Sequence, residues 1–118
     1  MPMKILLIDD EQLDVFIVQK LLSLEFDTTG IASYEQALQW AKENDFDVVL
    51  IDYYLENGKL GKDMLRELFA IKGKVFKPYL LTNYVDGQEY EGLKRDGFLA
   101  IIEKPLTLEK FKQQLQLS

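Results

Sequence analysis

Apolar and polar positions along this chain alternate between short continuous runs and helical stripes. Ile5-Leu6-Leu7-Ile8, following Lys4, and Val48-Val49-Leu50-Ile51 are unbroken apolar runs of strand length. Such runs predict strands covered on both faces, as in a parallel sheet. Each ends abruptly in carboxylates, Asp9-Asp10 in one case and Asp52 in the other. After the first, Leu13, Phe16, Ile17, Leu21 and Leu24 recur at helical spacing, so a helix with that apolar face is expected.

The residues 27–32, short and polar with Gly30 inside, suit an edge strand. Ser33 and Gln36 form a capping-box pattern before a second helix carrying Ala37, Leu38, Trp40 and Ala41 and ending near Asn44. After the loop 53–61, Met64, Leu65, Leu68, Phe69 and Ile71 mark a third helix closed by Gly73. Pro78 opens a fourth strand ending at Thr82, and Asp86 with Glu89 starts a fourth helix with Tyr90 and Leu93 on its inner face and Gly97 at its end. Residues 98–102 read as a fifth strand, broken by Lys104-Pro105, and Thr107 caps a last helix with Leu108, Phe111 and Leu115.

Five strands alternating with five helices predict one α/β domain with helices on both faces of a parallel sheet. With the polar second strand at the edge, the strand order becomes 2-1-3-4-5, the flavodoxin-like doubly wound arrangement. Ligands of such sheets bind beyond the carboxyl ends of the strands, at the switch between the first and third. Asp9, Asp10 and Asp52 are therefore expected to converge there.

Composition narrows the chemistry. The 118 residues contain no cysteine and no histidine, which excludes disulfides, thiolate or imidazole nucleophiles and sulfur- or histidine-ligated metals. A formal net charge of −6 disfavours a nucleic-acid surface, since phosphate backbones are bound by concentrated Lys and Arg. No apolar run approaches the ~18 residues of a membrane span. Lys4 is followed by only four apolar residues before Asp9, too few for a secretion signal, so a cytoplasmic location is expected.

Taken singly, Asp10 reads as a helix N-cap, Asp52 as a turn former, Thr82 as a strand end and Lys104 as a solvated lysine. Their joint placement at the carboxyl ends of the central strands argues for a site. Three carboxylates within several ångströms repel by roughly 1 to 4 kcal/mol per pair. A divalent cation relieves this repulsion, and an open all-oxygen set suits Mg²⁺ best.

The acidic pair Asp9-Asp10 after the first strand, Asp52 after the third, Thr82 after the fourth and Glu103-Lys104-Pro105 after the fifth resemble the receiver domain of two-component response regulators. The resemblance spans the whole chain, residues 1–118, as a single receiver domain without an output domain. It implies that Asp52 is the phosphoacceptor, taking a phosphoryl group from a histidine kinase or a histidine phosphotransfer protein. It implies Mg²⁺ held by Asp9, Asp10, Asp52 and the backbone carbonyl of Tyr54. Thr82 matches the hydroxyl that moves to the phosphoryl group, Lys104 the lysine that pairs with it, and the Lys104-Pro105 peptide is expected to be cis. The protein is then a signalling phosphoprotein rather than an enzyme, with self-catalysed phosphorylation and dephosphorylation at most. Its signal passes to a partner through the face of the fourth helix, fifth strand and fifth helix.

Three features depart from the family pattern. Ile101 stands where an aromatic switch residue is usual, Glu56 stands where proline is common in a loop one residue longer, and Tyr54 and Asn83-Tyr84 are bulkier than usual beside the site. The bulky residues are expected either to shield an acyl phosphate from water or to lie outward on the surface. Ile101 and the altered loop favour an alternative, a receiver-like module that signals by contact without phosphorylation. A flavin-binding domain of the same architecture is disfavoured, because a phosphate-cradling loop after the first strand would want Gly, Ser and Thr.

Overall fold

The computed structural model describes residues 2–84 and 86–117. Strands β1 (Lys4–Ile8), β2 (Asp27–Ile31), β3 (Val48–Asp52), β4 (Lys77–Thr82) and β5 (Ala100–Glu103) alternate with helices α1 (Gln12–Leu22), α2 (Tyr34–Glu43), α3 (Gly61–Lys72), α4 (Gly87–Asp96) and α5 (Leu108–Leu117). The sheet is parallel throughout and ordered β2-β1-β3-β4-β5, as the sequence predicts.

Side chains of a strand alternate between the two faces, and two cores form accordingly. Leu6, Ile8, Val49, Ile51 and Leu80 pack with α2 and α3 on one face. Ile5, Leu7, Val48, Leu50, Tyr79 and Leu81 pack with Val15 and Leu22 of α1 and Phe111 of α5 on the other. The whole of β3 is buried, including Asp52. Each fully buried aliphatic side chain there contributes about 1.5–3 kcal/mol, which fixes the height at which Asp52 leaves the sheet.

Helix ends follow the sequence signals closely. Ser33 and Asp86 accept from the backbone N–H of Gln36 and Glu89, Thr107 accepts from that of Lys110, and Gly97 takes the left-handed conformation after α4. Two helix faces differ from the expectation. On α1 the buried residues are Val15 and Leu22, whereas Leu13, Phe16 and Ile17 are largely exposed, as is Leu24 just past the helix end. The helix has two apolar stripes, and periodicity alone cannot say which one meets the sheet. On α4 only Leu93 is buried; Tyr90 stays exposed, with Lys94 lying 5.9 Å from its ring centre. No helix among the described residues is long and apolar enough to cross a membrane.

Candidate functional site

Strand register assembles the site. Ile8 pairs with Ile51, so the residues that follow, Asp9 and Asp52, emerge side by side at the tips of β1 and β3. One carboxylate oxygen from each of Asp9, Asp10 and Asp52 lies within 4.8 Å of the others; Asp9 and Asp52 are buried and Asp10 is exposed. Asp52 also pairs with Leu81, Thr82 pairs with Glu103, and the N–H of Lys104 donates to the carbonyl of Thr82 at 2.7 Å. Lys104 thus starts two strands away from Asp52, roughly 9–10 Å at the usual strand spacing. Only a long side chain spans that gap, and Lys104 Nζ reaches Asp52 Oδ1 at 2.9 Å and Asp9 Oδ2 at 3.3 Å.

The backbone at the site is held tightly. Asp9 Oδ1 accepts from the N–H of Glu11, so Asp9, not Asp10, serves the start of α1, and Asp10 makes no capping bond there. Asp10 stands free in solvent at the mouth of the pocket, where a chain turning out of β1 leaves it. Gly61 lies so close to Asp52 that an added Cβ would sit 2.6 Å from the Asp52 carbonyl oxygen, which requires glycine at that point. The Lys104-Pro105 peptide is cis, as expected.

Electrostatics follow from burial. Burial pushes the Asp52 carboxyl up to about 6; the bond to Lys104 pulls it back, and the charges of Asp9 and Asp10 push it further up. Burial by itself would lower the Lys104 ammonium, but the hydrogen bond and charge of Asp52, with Asp9, outweigh that and hold it above the ordinary lysine value. The three carboxylates present only oxygen donors, a set that fits a hard divalent cation. The residues present therefore fit such an ion.

Thr82 is buried, and its hydroxyl donates to the carbonyl of Tyr84 at 2.9 Å. Tyr54, Thr82, Asn83 and Tyr84 line the acidic pocket with Asp10, Asp52 and Lys104. Tyr54 and Tyr84 are 67% and 75% exposed, so they flank an open mouth without covering it. Ile101 is half-buried against the core on the α3 side.

Three contributors were not read from the sequence. Asp14 Oδ2 lies 3.6 Å from Lys104 Nζ, making a third carboxylate around that ammonium. Its spacing of one helical turn from Asp10 was the available signal. Glu56 reaches across to the start of α2, and Tyr53 donates its hydroxyl to Glu89 of α4 at 2.7 Å. Neither has a local sequence signature, because both contacts join segments distant in the chain.

The Tyr53 bond pushes that phenol up to about 12, with burial adding to it. Tyr34 is also raised, by burial first and then by its bond to Glu67. Because both phenols ionise later when folded, the stability these bonds supply is complete below pH 10.0 and is lost as the pH rises through the folded values. Alkaline titration read at the phenolate absorbance should resolve Tyr34 and Tyr53 as late components. If the amplitude lost in Tyr53→Phe falls near pH 10 and not among the late components, the bond to Glu89 is absent in solution.

The family model for the response regulator receiver domain matches residues 5–116. A comparison with curated proteins found no significant match. Chemotaxis protein CheY4 of Vibrio cholerae superposes with a TM-score of 0.89 at 21% identity, covering 99% of this chain and 98% of that one. A response regulator receiver domain protein from Clostridium thermocellum does so at 0.85 and 25% identity, covering 98% and 92%. A response regulator protein from Burkholderia pseudomallei, whose structure holds a phosphorylated aspartic acid, a calcium ion and citrate, gives 0.84 at 21% identity, covering 97% of this chain and 66% of that one.

Proposed function

The chain belongs to the response regulator receiver domain family, and from that premise we propose that residues 1–118 form a single phosphoacceptor domain of a two-component or phosphorelay pathway, with Asp52 as the acceptor. The observation that carries this reading is the reach of Lys104 across two strands to Asp52, beside the acidic trio. A structural lysine would not need to be delivered to a buried carboxylate already crowded by Asp9 and Asp10.

The chemistry assigned to each residue follows. An oxygen of the Asp52 carboxylate attacks the phosphorus of a donor phosphohistidine, and the P–O bond forms as the P–N bond breaks. The electron pair leaves with the imidazole nitrogen, which ends protonated from solvent. No general base is needed, since the nucleophile is already a carboxylate at neutral pH. Lys104 pairs with charge on the phosphoryl oxygens, and Thr82 turns its hydroxyl from the Tyr84 carbonyl towards them. Asp9, Asp10, Asp52 and the Tyr54 carbonyl would hold Mg²⁺, which when bound neutralises charge on the carboxylates and the phosphoryl group.

The donor in this reading is a histidine kinase or histidine phosphotransfer protein of the cytoplasm. The exposed Leu13, Phe16 and Ile17 of α1, beside Asp14, give it an apolar landing next to the pocket. Phosphorylation shifts a two-state equilibrium read by a downstream protein on the α4, β5 and α5 face. The chain acts as a signalling protein, with no catalysis beyond its own phosphorylation and dephosphorylation.

Ile101 in place of an aromatic favours a second reading, a module that signals by contact alone. Mg²⁺ with beryllofluoride, a phosphoryl mimic, separates the two. Amide resonances around Asp52, Thr82 and Lys104 are expected to move on its addition; if none does, the contact-only module stands.

A further inference from the structure

The departure at Glu56 in the β3–α3 loop has a structural partner. Glu56 Oε1 accepts from the backbone N–H of Tyr34, the first residue of α2, at 2.6 Å. Ser33 takes the N–H of Gln36 at the same helix start, so two side-chain oxygens share donors that a helix leaves open. The positive end of α2 also favours a carboxylate there.

A second contact holds the same point. Lys59 Nζ lies 4.5 Å from the centre of the Tyr34 ring, so residues on both sides of the loop's tip grip Tyr34. Between them Asn57 (φ 59°) and Gly58 (φ 74°) turn the chain, and the N–H of Leu55 donates to the Lys59 carbonyl at 2.8 Å. At the base, the N–H of Gly61 donates to the Tyr53 carbonyl at 2.8 Å, and Tyr54 bridges Leu60. Tyr54 therefore sits between a closed base and a tip fastened to another helix.

We propose that Glu56 is a positioning residue for divalent-metal binding: by fastening the β3–α3 loop to the start of α2, it holds the Tyr54 carbonyl where the cation needs it. This rests on the reading of Asp9, Asp10, Asp52 and the Tyr54 carbonyl as metal ligands. An untethered loop would have to be ordered at each binding event, and that entropy is subtracted from affinity. Coupling is reciprocal, so a cation that needs the ordered loop strengthens the Glu56–Tyr34 bond in return.

The test is Mg²⁺ titration of the wild type, Glu56→Ala and Glu56→Gln, with amide exchange of Tyr34 as an independent readout. Glutamine keeps an acceptor oxygen but drops the charge. Glu56→Ala is expected to weaken Mg²⁺ binding by about three- to tenfold, the range for one net hydrogen bond, while Glu56→Gln stays within about twofold of wild type. In the wild type, Tyr34 amide exchange should slow on saturation with Mg²⁺, a measurement that requires no variant. Unchanged affinity in Glu56→Ala, equal loss in both variants, or Tyr34 exchange indifferent to Mg²⁺ each overturns the role of Glu56. A wild-type protein that binds no Mg²⁺ takes down the metal-site reading as well, so the two failures are told apart.

Discussion

Replacing Asp52 with Asn is expected to abolish the beryllofluoride response and, at the same time, to make the metal-free protein more stable at pH 7. Burial, opposed by Lys104 and reinforced by Asp9 and Asp10, places the folded carboxyl at about 6 against an ordinary value of 3.8. The neutral acid is thus the form the fold prefers. Stability from this preference is fully present below about pH 4 and is lost as the pH rises through about 6. Above that, the ionised side chain costs about 1–3 kcal/mol, by the linkage between a pKa shift and free energy. Asparagine keeps the shape without the charge, so denaturant melts in the presence of chelator should favour the variant at pH 7 and lose that advantage near pH 4. A variant less stable than wild type at pH 7 would refute this account of the buried carboxylate. A gain in stability on losing a buried charge is what a site kept for function at the expense of stability predicts.

Removing the opposing charge is expected to act the other way. Lys104 touches Asp52 at 2.9 Å, Asp9 at 3.3 Å and Asp14 at 3.6 Å. Lys104→Met leaves the buried Asp9 and Asp52 repelling each other with no cation between them, and a loss of roughly 2–4 kcal/mol is expected in metal-free protein at neutral pH. Because the folded ammonium is held above its ordinary value by Asp52 and Asp9, its contribution fades in alkali, and it also shrinks below about pH 6, where Asp52 takes up a proton. Millimolar Mg²⁺ should recover much of the loss by binding only the folded state. Adding Asp52→Asn to Lys104→Met should also recover part of it, since the two residues act on one cluster. A Lys104→Met protein as stable as wild type, or one whose melting ignores Mg²⁺, would show that the contacts carry little energy.

These two effects have opposite signs because burial makes every charge at the strand tips expensive unless it is answered. The site keeps three carboxylates and one ammonium where an apolar cap would be more stable. Such an arrangement has room for an additional cation and an additional anion, which are what the proposed phosphoryl transfer to Asp52 would bring.

Much of this was legible in the chain itself. The apolar runs ending in Asp9 and Asp52 placed the two strands and their polar tips, and the caps at Ser33, Asp86 and Thr107 fell where the sequence set them. Strand order followed from which segment was too polar to be central. The switch point of the sheet brought the trio together, and the resemblance then supplied the roles of Asp52, Thr82 and Lys104. Helix α1 turns its other face inward, with Leu13, Phe16 and Ile17 exposed and Val15 and Leu22 buried, because a 3.6-residue period is satisfied by either stripe. Asp14 lies one turn from Asp10, but only the folded position of Lys104 gives that spacing a meaning.

By itself the sequence determined the elements, their order and the identity of the groups at the strand ends, since period, capping and composition are local properties read over a few residues. Tertiary structure alone decided that Lys104 crosses two strands to Asp52, that Asp14 joins it, that Glu56 fastens its loop to Tyr34, and that Tyr53 ties to Glu89. Each of these contacts depends on how far apart folded segments come to rest, a distance fixed by sheet register and helix packing and encoded in no single stretch of residues.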